Sequence, residues 1–294
     1  MTRPQNQIDR GTSPLRILLL GFGGRPGVVE EADRLAKLIE RTDRIVARDF
    51  TGSQDLATIE ADVAVVIGGD GSILHAARQM GRRQVPVIAV NLGRLGFLAD
   101  VQPKELPEVL DQFRQGRLQV ARHLMFVCEL VREGRVVDQQ LGLNEVVVPN
   151  GPPFTMMDVH LYVDSELATT YSCDGLIISS PVGSTAHSLS AGGPILRKDL
   201  QAFVVSPINP HTLTYRPVVD SADRVFELEV VRPLPETSVV VDGRVLGRLL
   251  PRDRVRVRRA DVSFQLVVAP GHSYYRTLRE KLGWSGRFNR NDTR

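Results

Sequence analysis

Cysteine is nearly missing from this chain of 294 residues: only Cys128 and Cys173 occur, in unrelated contexts. Two such thiols make neither a disulfide framework nor a structural zinc site, and they suit a reducing cytoplasm, where we expect the protein. No apolar run approaches the ~20 residues that span a bilayer, so no membrane partner is expected. The opening stretch MTRPQNQIDRGTSP has no apolar centre; no secretory signal is expected there, and it reads as a frayed polar tail. Lysine is scarce as well, four among the 37 basic residues, and the formal net charge is only +3. A charge so close to zero does not call for nucleic acid as a partner. Tandem repeats and low-complexity linkers are absent. What is present is an ordinary soluble balance, 42% hydrophobic and 24% charged, enough for one large domain or two of usual size.

Two textures divide the chain. LRILLLGF (15–22), ADVAVVIGG (61–69) and VPVIAVNLG (85–93) are continuous apolar runs, the pattern of strands buried on both faces. Between them VVEEADRLAKLIERT (28–42) and SILHAARQMG (72–81) carry helical spacing. The alternation predicts an α/β domain with a parallel sheet over 1–115. From 116 to 268 the pattern changes to alternation with short turns, as in RLQVARHLMFVCELVREGRVV and FTMMDVHLYVDSELATTYS, where REG and DSE suit hairpins. We expect a mainly antiparallel β domain there. SYYRTLREKLGW (273–284) turns helical again, with Tyr274, Leu278 and Leu282 on one face; residues 269–294 are expected to pack as a tail on the first domain.

The glycine loops carry the chemistry. GFGGRPG (21–27) follows a strand and precedes a helix, but Pro26 stands at the third glycine of a dinucleotide fingerprint, where it suits a first helical turn. No acidic residue is evident at the end of a following strand, which argues against a Rossmann dehydrogenase. GGDGS (68–72) has the better context, delivered by one strand and leaving into a helix. Gly68, Gly69 and Gly71 let backbone amides, with Ser72, approach phosphate, and a helix N-terminus favours an anion. Asp70 would repel that phosphate unless it serves as a base or a metal contact; the competing reading is a helix cap. DGLIISSPVGSTAHSLSAGGPIL (174–196) joins an acid, a strand and the hydroxyls of Ser179, Ser180, Ser184, Thr185, Ser188 and Ser190. Gly183 permits a tight turn, and TAHSLSAGG (185–193) reads as a short helix closed by Gly192–Gly193–Pro194; the segment offers small donors to a polar ligand.

Taken in order, GGDGS, NLGRLGFLAD (91–100), NE (144–145), the long serine–glycine segment, PHTLTYRPVV (210–219), VDGR (241–244) and LREKLGW (278–284) resemble the NAD kinases over nearly the whole chain. GGDGS alone also occurs in phosphofructokinases, with close variants in lipid kinases; the ordered set is far more specific. The resemblance implies transfer of the ATP γ-phosphoryl group, or of polyphosphate in some members, to the adenosine 2′-hydroxyl of NAD to make NADP. It also implies a divalent cation, usually Mg2+, and a homodimer or homotetramer built through the β domain. Position by position, it implies that Asp70 takes the 2′-hydroxyl proton beside Gly71. Asn144, Glu145 and Asp174 would contact the nucleotide. Thr185, Ala186, His187, Ser188, Leu189 and Ser190 would wrap it, with Arg244 nearby.

Departures from the family pattern are few. Ser72 replaces a common threonine, Val182 a usual hydroxyl residue, His187 a frequent tyrosine and Asn209 a common cysteine. His75, one turn beyond the loop, is placed either on the bound nucleotide or at a plain boundary. Arg254, Arg256 and Arg258 alternate on one strand without interleaved aromatics, and we expect a solvated face, not a nucleic-acid surface. The rivals are a sugar-phosphate or lipid kinase sharing the GGDG loop, and a catalytically silent NAD(P)-binding regulator. The first would not need the hydroxyl-rich segment, and the second would not need a base at Asp70.

Overall fold

In the computed structural model, residues 13–22, 24, 27–93, 96–212, 214–271 and 273–284 are described. The polar tail and the placement of Pro26 lie outside the described residues. Those up to Ala121, with those from Gln265 onward, form one unit; Arg122–Phe264 form a second.

In the first unit the expected runs become β1 (Arg16–Gly21), β3 (Val63–Ile67) and β4 (Val87–Val90), almost wholly buried. A further strand, β2 (Arg44–Asp49), escapes the apolar pattern because it lies at the edge and mixes half-buried with charged positions. The order is β2-β1-β3-β4, parallel throughout, and Leu266 pairs with Val87 beside β4. Helix α1 (Val28–Ile39) buries Val28, Ala32, Leu35, Ala36 and Ile39 against this sheet, and it stops short of the expected Thr42. Just past it Asp43 accepts hydrogen bonds from the Leu15 amide at 2.8 Å and the Arg114 guanidinium at 2.8 Å, tying the new strand to the sheet. Helix α2 (Asp70–Met80) leaves the GGDGS loop. Helix α3 (Leu106–Arg114), not anticipated, buries Leu106, Val109, Leu110 and Phe113.

The second unit is antiparallel, as its alternation requires. It runs through β5 (Val120–Arg132), β6 (Arg135–Gly142), β7 (Glu145–Pro149), β8 (Met157–Val163), β9 (Glu166–Cys173) and β10 (Gly175–Ser179). After the short helix α4 (His187–Ser190) come β11 (Ala202–Ile208), β12 (Val218–Ser221), β13 (Phe226–Val230), β14 (Ser238–Val241), β15 (Arg244–Arg248) and β16 (Arg254–Val267). The two expected hairpins form, with positive φ at Glu133 and Gly134 and at Asp164 and Ser165, the geometry that suits strand twist. One sheet has the order β12-β11-β10-β7-β14-β15; the other joins β13 to β8 and β16, with β9 and β5–β6 flanking. Phe203 meets Phe126 and Phe226 edge-on, at 6.3 and 5.6 Å between centroids, at the heart of the apolar layer. Cys128 and Cys173 lie in that layer as free thiols; burial pushes Cys173 up to about 11 and Cys128 higher still.

The arginines of β16 correct the expectation of a solvated face. Arg254 and Arg256 both donate to Glu227, at 2.9 and 2.8 Å, and Arg258 donates to Glu129 at 2.7 Å. Both glutamates are buried, so the guanidinium groups serve them while their outer parts stay in water. The chain ends its described course in α5 (Tyr274–Leu282), with Leu278 buried, Tyr274 and Leu282 half-buried, and Lys281 Nζ 5.6 Å from the Phe97 ring. Among the described residues no helix is long and apolar enough to cross a membrane.

Candidate active site

Asp70 is the first residue of α2, after Gly69, and no side chain caps that helix. The capping role is therefore overturned: the carboxylate turns away from its own helix and grips the loop after β4. Oδ2 accepts the Phe97 amide at 2.8 Å; Oδ1 accepts those of Leu98 at 2.9 Å and Ala99 at 3.2 Å. A carboxylate has about four lone-pair directions, so three amides leave one, on Oδ2. Gly96 is obligatory, because a Cβ there would stand 2.3 Å from Asp70 Oδ1. Asp70 is thus half-buried, fixed in direction and still able to accept one proton.

Around it the glycine loop is partly committed to the sheet. The Gly68 amide donates to the Val90 carbonyl at 2.8 Å, so it does not face phosphate, and Ser72 is buried behind it. Gly69 is half-buried and Gly71 is exposed. His75 lies further along α2, its ring 5.5 Å from Phe22 and its Nδ1 2.8 Å from Arg78, whose guanidinium can only donate. An acid does end the strand after α1: Asp49, at the end of β2. Burial pushes its carboxyl up, but the Gln54 amide, the Thr51 hydroxyl and amide and the Gln79 side chain outweigh that and hold it well below the usual range. It closes its own loop, so it is not free to hold a ribose in the dinucleotide-fold manner.

The second unit repeats the grip. Asp242, in the turn between β14 and β15, accepts the amides of Leu143 at 2.7 Å, Asn144 at 2.8 Å and Glu145 at 3.0 Å. The opposite side of that turn is also held: the Ser180 amide and hydroxyl donate to the carbonyls of Asn144 at 2.8 Å and Leu143 at 2.5 Å. Gly183 presses on the same backbone, where a Cβ would come within 2.2 Å of the Asn144 carbonyl oxygen. Asn144 and Glu145 therefore project from a rigid base. Glu145 is nearly buried with Oε2 unpartnered; burial first and the Asp242 charge second push its carboxyl up to about 8. Near neutral pH it is a hydrogen-bond donor. Sequence reasoning missed Asp242; VDGR drew notice for its arginine, yet the aspartate before the glycine was the signal.

The hydroxyl-rich segment turns at Gly183–Thr185 and then forms the four-residue α4, as its glycines suggest, but its hydroxyls do not point as expected. Ser179, Ser180, Ser184 and Ser188 are fully buried and bond inward: Ser184 Oγ to the Pro181 carbonyl at 2.7 Å, Ser188 Oγ to Ser206 Oγ at 3.0 Å, and Ser179 Oγ to the Ser180 carbonyl at 3.0 Å. These hydroxyls shape the loop and do not offer themselves to a ligand. Thr185 donates to the Val182 carbonyl at 3.2 Å. Ala186 and Leu189 are half-buried, while His187, Ser190 and Arg244 are exposed. Asp174, half-buried at the head of β10, accepts Asn209 Nδ2 at 3.1 Å. Asp70, the GGDGS loop and His75 thus belong to the first unit, and the remaining candidates to the second.

Comparisons with known proteins bear on this arrangement. The description of the ATP-NAD kinase N-terminal domain matches residues 28–118 and that of the C-terminal domain residues 143–269. A protein of Rhodopirellula baltica named NAD kinase is 54% identical over 274 residues, 93% of this chain and 88% of that protein. One of Geotalea daltonii with the same name is 36% identical over 89% of this chain and 94% of its own. Among solved structures, a NAD kinase from Archaeoglobus fulgidus in complex with ATP has a TM-score of 0.73 and 25% identity, covering 91% of this chain and 98% of that one. Yeast NADH kinase complexed with NADH shares the fold at a TM-score of 0.86 with 22% identity, covering 98% and 94%. Both domain matches fall in the expected order, and more than half the residues are shared with a relative of nearly equal length, so the chain belongs to the NAD kinase family.

Proposed function

We propose that the chain phosphorylates NAD at the adenosine 2′-hydroxyl with ATP as donor, making NADP. The observation that carries this is Asp70: a carboxylate aimed by three amides, with one lone pair open, at the head of a glycine loop. The hydroxyl proton goes to Oδ2, the 2′-oxygen bonds to the γ-phosphorus, and the bond to the β,γ-bridging oxygen breaks, with ADP leaving on that electron pair. Such transfer depends chiefly on position and charge stabilisation, and Asp70 supplies a fixed acceptor. The second unit supplies recognition: Asn144 an amide, Glu145 a protonated acid and Asp174 a carboxylate. Together they suit ribose hydroxyls and a base edge. Thr185, Ala186, His187, Leu189, Ser190 and Arg244 remain proposed as the surround of the nucleotide, and His75 as a neighbour of its phosphates.

A divalent cation, Mg2+ by preference, would neutralise the donor phosphates when bound. No group of three His, Cys, Asp or Glu side chains converges among the described residues. Mg2+ commonly takes only one or two carboxylates and completes its shell with phosphates and water; the donor phosphates and water would hold it here, and the one open lone pair of Asp70 is kept for the hydroxyl proton. We also propose a cytoplasmic homodimer or homotetramer assembled through the β-rich part, where β12 and β15 end a sheet with Val218, Val219 and Val245 exposed. Incubating the purified protein with NAD, Mg2+ and either ATP or polyphosphate, and assaying NADP, tests the activity and the donor. Phosphorylation of a sugar phosphate or lipid with none of NAD would overturn it. Light scattering reads the assembly; a fully active monomer would overturn that part.

A further inference from the structure

Resting on that reading, in which Asp174 meets the nucleotide, we infer that Asn209 is a positioning residue that aims the Asp174 carboxylate. The main chain of Asp174 is fixed from both sides: its amide donates to the Ile208 carbonyl at 3.0 Å, and its carbonyl accepts the Asn150 amide at 2.9 Å. Gly175 beside it sits between strands so tightly that a Cβ would fall 2.9 Å from Ile208 Cδ1 and 3.1 Å from the Val148 carbonyl. The backbone therefore cannot choose where the carboxylate points; only the side-chain torsions can. Asn209 Nδ2 donates to Oδ2 at 3.1 Å, the single side-chain hydrogen bond this carboxylate makes among the described residues. With Oδ2 held, both lone pairs of Oδ1 remain to be used by a ligand.

The chemistry of the partner matters. A lysine or arginine at 209 would hold Asp174 and cancel its charge; an amide holds it and leaves the charge intact. The aimed group is then an undiminished acceptor, suited to a donor pair such as two ribose hydroxyls or an exocyclic amine. Asn209 has φ of 45°, in the left-handed region that asparagine enters more readily than most residues. Backbone demand alone would be met equally by glycine, which gives a clean discrimination.

Asn209→Gly keeps the backbone and removes the amide. We expect the KM for NAD to rise about threefold to tenfold, the range of one hydrogen bond, with kcat changing less and the melting temperature held. Asn209→Asp sets a second carboxylate against Asp174 and should raise KM further. Asp174→Ala combined with Asn209→Gly should be no worse than Asp174→Ala alone, since Asn209 acts only through Asp174. An unchanged KM in Asn209→Gly, or independent losses that multiply in the double variant, would overturn the inference while leaving the kinase reading intact. A wild-type protein that makes no NADP would instead overturn the reading on which it rests.

Discussion

Asp70 and Asp242 use one device in two places, and they differ in what is left over. Each aspartate binds three consecutive or nearly consecutive amides of a distant segment, 97–99 for Asp70 and 143–145 for Asp242. At Asp70 the segment is passive and the aspartate is the group proposed to act, with one lone pair left unclaimed by the three amides. At Asp242 the roles are exchanged. The aspartate stays behind, and the segment it holds carries Asn144 and Glu145, the side chains proposed to meet the nucleotide. A carboxylate surrounded by amides is therefore not by itself a sign of catalysis. What separates the two is which partner keeps a group that the clamp does not use: the Oδ2 lone pair at Asp70, the side chains of Asn144 and Glu145 at Asp242.

The sharpest way to break the contrast is at Asp70. Asp70→Asn should lower NADP formation by ~10²-fold or more, the loss expected when a positioned base is removed. It should cost about 1–3 kcal/mol, because the remaining oxygen still accepts Leu98 and Ala99 while the Phe97 amide loses its acceptor. Turnover within a few-fold of wild type in a folded variant would end the base assignment. Asp242→Ala should behave in the opposite sense. Leaving the amides of Leu143 and Glu145 without an acceptor should cost on the order of 2–4 kcal/mol in denaturant melts and raise the KM for NAD more than it lowers kcat. A variant as stable as wild type would show that the turn does not depend on its carboxylate.

Glu145 sharpens the comparison through pH. Its folded carboxyl titrates at about 8, above the unfolded value of ~4.3. Between those limits the folded chain keeps a proton that the unfolded chain has lost. Stability from this group therefore falls as pH climbs from ~4.3 to about 8, by at most ~1.4 kcal/mol per unit, and levels off above. Glu145→Gln should remove that slope, and Asp242→Asn should shift it to lower pH by deleting the neighbouring charge. Parallel stability profiles for wild type and Glu145→Gln would refute the buried acid. The smallest effect is expected away from both clamps. Arg258→Gln should cost about 0.5–1 kcal/mol by thermal melt, since Arg256 still reaches Glu129 at 3.4 Å and the lost guanidinium was partly in water. A loss of several kcal/mol would mean the ladder acts as a unit.

The sequence disclosed what is local and hid what is paired at long range. GGDGS could be placed because strand, loop and helix follow within a few residues, and the parallel and antiparallel halves could be separated because apolar runs and alternation differ in period. Strand β2 was hidden because RIVARD is an edge strand with charges at both ends. Asp70 as a loop anchor was hidden because its amides lie 27 to 29 residues away. Asp242 was further out of reach, with partners 97 to 99 residues distant. The serines misled for a related reason: composition counts hydroxyls, but only the fold says which way they face. The arginines of β16 erred likewise, since their glutamates come from β5 and β13.

The two cysteines, noted only as buried thiols, make the molecule its own stopwatch. Both lie in the apolar layer of Arg122–Phe264, and burial keeps them in the unreactive protonated form. A maleimide or an aromatic disulfide can reach them only when that layer parts. The rate of labelling then reports the opening of the second unit alone, because the first has no thiol to contribute. Saturating NAD should slow that clock if the nucleotide is held by Asn144, Glu145 and Asp174, which would give a binding measurement that requires no turnover.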